Sequence, residues 1–103
     1  MLKCTDLSYV ESVELEKLSK HLKALSDPTR LHIVYRLREG ERCVCEIYET
    51  LNLPQNLASH HLKVLKEAGI VEARRDGTWI RYRLNKKTIG DYQRMLARAL
   101  RIK

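Results

Sequence analysis

The sequence predicts a mainly helical protein with one β-hairpin, in the order α-α-α-α-β-β-α. Three observations lead there. Apolar residues recur at helical spacing through the first two thirds of the chain. After Gly69 the pattern changes to strand-like alternation. Within that stretch Asp76-Gly77, a dipeptide that permits positive φ in a tight turn, separates two strands.

Each element has its own signals. "SVELEKLSKHLKAL" sets Val13, Leu15, Leu18, Leu22 and Leu25 near one helical face. "SDPTRLHIVYRLREG" supplies Asp27 as N-cap, Pro28 at the first helical position and Gly40 just past the end. Its Leu31, Ile33, Val34 and Leu37 are expected to bury one face. A short third helix runs from Val44 to Leu51, and Pro54 opens a fourth that reaches Ala68 and is closed by Gly69. In "IVEARRDGTWIRYRL" the residues Trp79 to Leu84 form the returning strand. The tail from Thr88 to Arg101 is helical again, with Ile89, Tyr92, Met95, Leu96, Ala99 and Leu100 on one side. This succession is a winged helix-turn-helix with an additional helix at each end.

With 103 residues, the chain reads as one domain, 1–103, with a modest core. No segment approaches the ~18 apolar residues of a membrane span, and "MLKCTDLSYVES" has no apolar run to serve as a signal-peptide core. Three cysteines are too few for a disulfide scaffold and suggest free thiols in a reducing cytoplasm. The net charge of +7 is unevenly placed. Residues 1–53 hold eight Lys or Arg against nine Asp or Glu, a balance of −1, and residues 54–103 hold twelve against four, a balance of +8. A lopsided basic half suggests a polyanionic partner. Nucleic acid fits better than a membrane surface, because no basic segment also carries a strong apolar face.

On a helical wheel turning about 100° per residue, Ala58, His61, Leu62, Leu65 and Ala68 share one arc of the fourth helix. Asn56, Ser59, His60, Lys63 and Glu67 collect on the other side. Asn, Ser and His can exchange hydrogen bonds with base edges, while Lys63 suits a phosphate. The hairpin adds Arg74, Arg75, Arg81 and Arg83, which alternation splits between its two faces, so only some can meet phosphates or enter a minor groove. His61 is expected in the core, bonded to a nearby backbone group, and His60 outside. His21 and His32 lie on separate helices with no carboxylate-rich pattern nearby, so neither is assigned a metal.

"GERCVCEIYETL" places Cys43 and Cys45 one residue apart. Residues i and i+2 diverge by about 200° on a helix but share a face in extended backbone. Cys43 is therefore expected before the third helix and Cys45 in its first turn. Free N–H groups there, with Arg42, favour thiolates, which soft ions prefer as ligands. Spacing alone leaves a metal or metalloid site, a redox pair and plain packing open. An enzymatic thiol reductase fits poorly, since the pair is not C-x-x-C after a strand.

Four ordered motifs, "ALSDPTRLHIVYRL", "ERCVCEI", "NLASHHLKVLKEAGIV" and "RRDGTWIRYRL", resemble the ArsR/SmtB family of metal-responsive repressors from about Leu22 to Leu84. The resemblance implies a homodimer, joined through the terminal helices, that binds operator DNA and lets go when a metal ion binds. It implies Asn56, Ser59, His60 and Lys63 as recognition-helix positions and the Asp76-Gly77 hairpin as the wing. "CVCEI" is similar to the cysteine pair of arsenic, antimony and cadmium sensors. The third cysteine of the arsenic sensors is Tyr48 in this chain, so Cys4 is the remaining sulfur. The Asp/His pattern of zinc and nickel sensors is missing from "IGDYQRMLARAL". The expected inducer is As(III) or Sb(III) on Cys43, Cys45 and Cys4. Cd(II) or Pb(II), or a thiol redox signal, is the alternative, and no cofactor is required for DNA binding.

Overall fold

A computed structural model describes residues 8–101. Helix α1 spans Tyr9–Leu25, α2 Pro28–Leu37, α3 Val44–Thr50, α4 Gln55–Glu67 and α5 Lys86–Leu100. Strand β1 is the two residues Arg42–Cys43, β2 is Val71–Asp76 and β3 is Trp79–Leu84. The five helices and the hairpin follow the expected order, and β1 is an addition to it.

Capping chemistry fixes the helix starts. Ser8 and Glu11 form a reciprocal capping box, which starts α1 earlier than its apolar repeat indicates. The Asp27 carboxylate accepts from the N–H groups of Thr29 at 2.8 Å and Arg30 at 3.1 Å, with Pro28 at the first helical position. Asn85 caps α5 through the Thr88 N–H, so that helix begins at Lys86 and not at Thr88.

The core lies where α2, α3 and α4 meet the base of the hairpin. Ile33, Leu37, Ile47, Leu62, Leu65, Ile70 and Val71 are buried in one cluster. Leu31 is not part of it. Expected on the buried face of α2, it is 49% exposed, because that face is set by Ile33 and Leu37, and Leu31, two residues before Ile33, projects about 200° away from it. Helix α1 buries Leu18, His21 and Ala24 but leaves Leu15 and Leu22 exposed. It packs on α5, where His21 stacks on Tyr92 with ring centroids 4.1 Å apart.

The sheet order is β1-β3-β2, antiparallel throughout. Asp76 pairs with Trp79, so the two turn residues are Gly77 and Thr78, with φ +63° at Gly77 as a two-residue hairpin turn requires. The turn therefore sits one residue later than Asp76-Gly77. Gly69 ends α4 at φ +78°, and a β-carbon there would stand 3.1 Å from the Thr88 methyl group. It lets the chain leave α4 tightly against the first turn of α5.

Candidate nucleic-acid interface and sulfur site

Helix α4 is seated by its inner face. Ala58, His61, Leu62 and Leu65 are buried, as the wheel requires. Asn56, Ser59, His60, Lys63 and Glu67 are exposed. Among the described residues, the side chains of Asn56, Ser59, His60 and Lys63 make no hydrogen bond or ion pair within the chain. A tight turn holds α3 and α4 together: Asn52 takes positive φ, and the Leu53 N–H donates to the Tyr48 carbonyl at 2.8 Å.

His61 is buried, but its partner is a side chain and not the expected backbone group. Arg30 Nη1 lies 3.3 Å from His61 Nδ1, while Arg30 Nε donates to the Ala24 carbonyl at 2.7 Å. A guanidinium can only donate, so Nδ1 must accept and the ring proton resides on Nε2. Burial lowers the His61 pKa, outweighing the nearby Asp27 carboxylate.

The hairpin register sorts the arginines. Arg74 pairs with Arg81 and Glu72 with Arg83, so Arg74, Arg81 and Arg83 share one face, while Arg75, opposite Ile80, is on the other. The first three are occupied. Arg74 Nε donates to Glu41 at 3.2 Å, Arg81 Nε to Asp76 at 2.9 Å, and Arg83 Nε lies 3.4 Å from Glu72. The Glu41 pair lowers the carboxyl pKa and raises that of Arg74. Arg75 has no carboxylate within 4.0 Å among the described residues. Nothing in the composition distinguishes Arg75 from its neighbours. The register does.

Cys43 is buried and caps α3 from extended backbone, φ −72° and ψ 151°, while Cys45 follows in the first turn. That is the arrangement the spacing predicts. Extended backbone at the cap turns both side chains to one side. The Cα atoms stand 5.4 Å apart and the sulfurs are joined as a disulfide, so the pair is in its oxidised form and not the free thiols expected from the cysteine count. Cys4 lies outside the described residues, and no cluster of three or more His, Cys, Asp or Glu suited to a metal occurs among the described ones. The donor set among the described residues is thus two convergent sulfurs, soft enough for a thiophilic ion once reduced but short of a closed shell.

Two features around the sulfurs escape a sequence reading. Glu46 completes a capping box by accepting from the Cys43 N–H at 2.9 Å, and it also lies 3.8 Å from both Arg42 and Arg81. Its signal was the cap-x-x-Glu spacing, with Cys where Ser or Thr usually stands. Strand β1 then sets Cys43 opposite Arg81 of the hairpin. The sulfur pair is therefore joined by backbone pairing to β3, and α3 packs on α4.

A helix with an unengaged polar face behind a tight turn, beside a projecting basic hairpin, defines the winged helix-turn-helix class. The family profile described as "Bacterial regulatory protein, arsR family" matches residues 27–73. An uncharacterised HTH-type transcriptional regulator of Methanocaldococcus jannaschii is 54% identical over 65 residues, covering 62% of this chain and 73% of that protein. The arsenical resistance operon repressor of Bacillus subtilis is 38% identical over 76 residues, 73% of this chain and 72% of that one. The chain spans only about half, 52%, of the HTH-type transcriptional repressor SmtB of Mycobacterium tuberculosis. Among solved structures, the homodimeric winged helix-turn-helix DNA-binding domain of a possible ArsR-family regulator from Mycobacterium bovis superposes with a TM-score of 0.76. It is 32% identical, and the alignment covers 90% of this chain and 87% of that one. The chain belongs to the ArsR family of bacterial regulatory proteins. No described helix is long and apolar enough to cross a membrane.

Proposed function

We propose that the chain is a transcriptional repressor that binds operator DNA as a homodimer and releases it when a thiophilic ion, As(III) or Sb(III), binds Cys43, Cys45 and Cys4. Asn56, Ser59 and His60 read base edges, and Lys63 and the wing arginines Arg74, Arg75 and Arg81 meet phosphates. One observation carries this reading: Cys43 belongs both to the cap of α3, which packs on α4, and to the strand paired with β3. A ligand on the sulfurs thus acts on the footing of both DNA-reading elements.

Arsenic(III) or antimony(III) would supply three bonds to thiolate sulfur. The chain's residues do the rest. Reduced Cys43 and Cys45 present two sulfurs from one helix start. If the ion-bound geometry fits DNA less well, linkage requires that operator DNA weaken ion binding by the same factor. Cd(II) or Pb(II) remains the runner-up, since each calls for a further ligand. The name of the B. subtilis relative, an arsenical resistance operon repressor, favours the metalloid.

Dimerisation is assigned to the terminal helices. Leu15, Leu22 and Leu100 are exposed, and Leu15, Leu18, Met95 and Ala99 line one groove between α1 and α5. The M. bovis domain, described as homodimeric, supports this assignment. With its terminal helices serving as the interface, the chain works as one winged-helix domain.

The joined sulfurs favour a second reading, a redox repressor. Two thiols would lose two electrons and two protons to a peroxide, forming the disulfide and reducing the peroxide to water. A single experiment separates the readings: DNA binding under reducing conditions, titrated in parallel with arsenite, cadmium, zinc and peroxide. Release by arsenite at the lowest concentration supports the proposal. Release by peroxide alone overturns it in favour of the redox form. Cys43→Ser and Cys45→Ser variants should bind DNA and stay bound at arsenite levels that release the parent, and normal release from both variants would end the sulfur-sensor reading. Cys4→Ser tests the third ligand, because a parental response would show that the pair does not need it.

A further inference from the structure

Arg30 lies in the first turn of α2 and ties three helices together at one point. Its own N–H donates to the Asp27 carboxylate at 3.1 Å, which fixes its backbone. Its side chain is half-buried and crosses to two other helices. Nε donates to the Ala24 carbonyl in the last turn of α1 at 2.7 Å, and Nη1 meets His61 Nδ1 on α4 at 3.3 Å. The Ala24 carbonyl is one of the last four of α1, which a helix leaves without an N–H of its own. A cation suits that end of the helix dipole. A guanidinium can send two donors from one rigid plane to two such acceptors, whereas an ammonium is a single point.

Beside this contact α1 and α4 touch only lightly. A cleft lined in part by Lys20, Ala24, Val64 and Ala68 runs between them, and its two buried residues, Ala24 and Ala68, offer one methyl group each. Apolar contact is non-directional, so two methyl groups leave the crossing angle soft. The hydrogen bonds of Arg30 are directional, and a charged donor strengthens them. They reach α4 on its buried side, through His61, and not on the face offered to DNA.

We propose that Arg30 is a positioning residue for operator recognition: it fixes the angle between α1 and α4, and with it the spacing at which a homodimer accepts two half-sites. The proposal rests on the reading that α1 helps to join the dimer and α4 reads bases, and it names the residue that ties the two roles together. In a two-fold dimer both copies of the junction tilt alike, so a change in each protomer counts twice in the distance between the α4 helices. Half-sites one duplex turn apart are about 34 Å from centre to centre, and one base-pair step is about 3.4 Å. A displacement of about half a step in each protomer therefore moves the dimer from one spacing to the next.

The test lets the dimer choose its DNA. Duplexes with a randomised central stretch are incubated with the parent or a variant under reducing conditions, and the bound fraction is sequenced. The parent should enrich paired half-sites at one spacing. Arg30→Met keeps much of the bulk and loses both donors. It should enrich the same half-site at neighbouring spacings as well, with preference for the parental spacing lowered roughly tenfold, as loss of a hydrogen bond from a charged group implies. His61→Leu removes the acceptor with Arg30 in place and should relax the spacing in the same way, which keeps the link testable should Arg30→Met fail to fold. His61→Gln offers a carbonyl in place of the ring nitrogen and should keep the parental spacing. Thermal unfolding and sedimentation would be followed for each variant. Lower stability with binding weakened equally at every spacing would overturn the proposal, because a merely structural role predicts that result. Dissociation of the variants into monomers would do so too, as would the single parental spacing in both Arg30→Met and His61→Leu. Enrichment of no sequence by the parent would sink the DNA-binding reading itself, and enrichment of lone half-sites would sink the homodimer on which the proposal stands.

Discussion

Helix α4 and the hairpin are the two surfaces offered to DNA, and they are prepared in opposite ways. The outward side chains of α4 have no partners within the chain among the described residues, whereas three of the four hairpin arginines are already held by carboxylates. A base or phosphate that meets α4 displaces only water. One that meets Arg74 must first draw it from Glu41, and one that meets Arg81 must compete with Asp76 and Glu46. Exposed ion pairs are worth only about 0–1 kcal/mol, so the exchange is feasible. It nevertheless reduces what each contact adds. The difference teaches that a count of arginines overstates the wing and that α4, with fewer charges, presents the more direct contacts.

The most severe way to break the comparison is to remove the seat of α4. Leu65 is fully buried, and Leu65→Ala should cost about 2–5 kcal/mol of stability, the range for a large-to-small change in a packed core. Urea unfolding would measure it, and a loss below about 1 kcal/mol would mean that α4 is not anchored by this face. A smaller effect should separate reading from holding. Ser59→Ala or His60→Ala should reduce discrimination between operator and random DNA by about 1–3 kcal/mol, seen in paired titrations. Equal losses on both DNAs would set α4 outside the groove.

Smaller still are the charges that distinguish the two surfaces. Lys63→Ala and Arg75→Ala should each lower the salt slope by about one counterion, and Arg74→Ala should lower it by less. Glu41→Gln, which frees Arg74, should tighten DNA binding at low salt. Equal slopes for the Arg74 and Arg75 variants would remove the distinction between the two wing faces. The mildest test uses protons. Burial lowers the pKa of both His21 and His61, so the unfolded chain takes up protons first as pH falls through about 6.5, the free histidine value. Stability should therefore be full above that pH and decline below it toward the lower folded-state values. His21 Nδ1 is buried without a hydrogen-bond partner among the described residues, so His21→Phe should keep the stack on Tyr92 and remove part of the decline. A urea midpoint that is flat with pH in the parent would contradict this.

The helices and hairpin were legible because each repeats a local signal: apolar spacing on α1, α2, α4 and α5, Asp27-Pro28 before α2, and Gly77 at the turn. The buried arc of α4 could be written from the wheel alone, and the cap position of Cys43 followed from the i, i+2 spacing. What stayed hidden was non-local. Strand β1 is two residues long and exists only because β3 offers it an edge. Arg74 and Glu41 are 33 residues apart in the chain, and no local pattern announces their meeting. The expected face of α2 grouped Leu31 with Ile33, although residues two apart diverge by about 200° on a helix, and tertiary packing buried the Ile33 and Leu37 side. Asp27 illustrates both kinds of signal. Its role as a cap was visible, but its place beside the Arg30–His61 contact was not.

The two-residue strand also bears on how the molecule assembles. The hairpin and the α3–α4 turn close over short stretches of chain, but Arg42 meets Tyr82 only after the 39 residues between them are looped back. Loop-closure entropy makes such a contact late, because little is gained until its neighbours are in place. Helix α3 can therefore form against α4 before Cys43 acquires its strand partner. During that interval the cap of α3 rests on its local bonds, the Cys43 sulfur accepting from the Cys45 N–H and Glu46 accepting from the Cys43 N–H. The sulfur pair is thus placed by local bonds and completed by a distant strand partner.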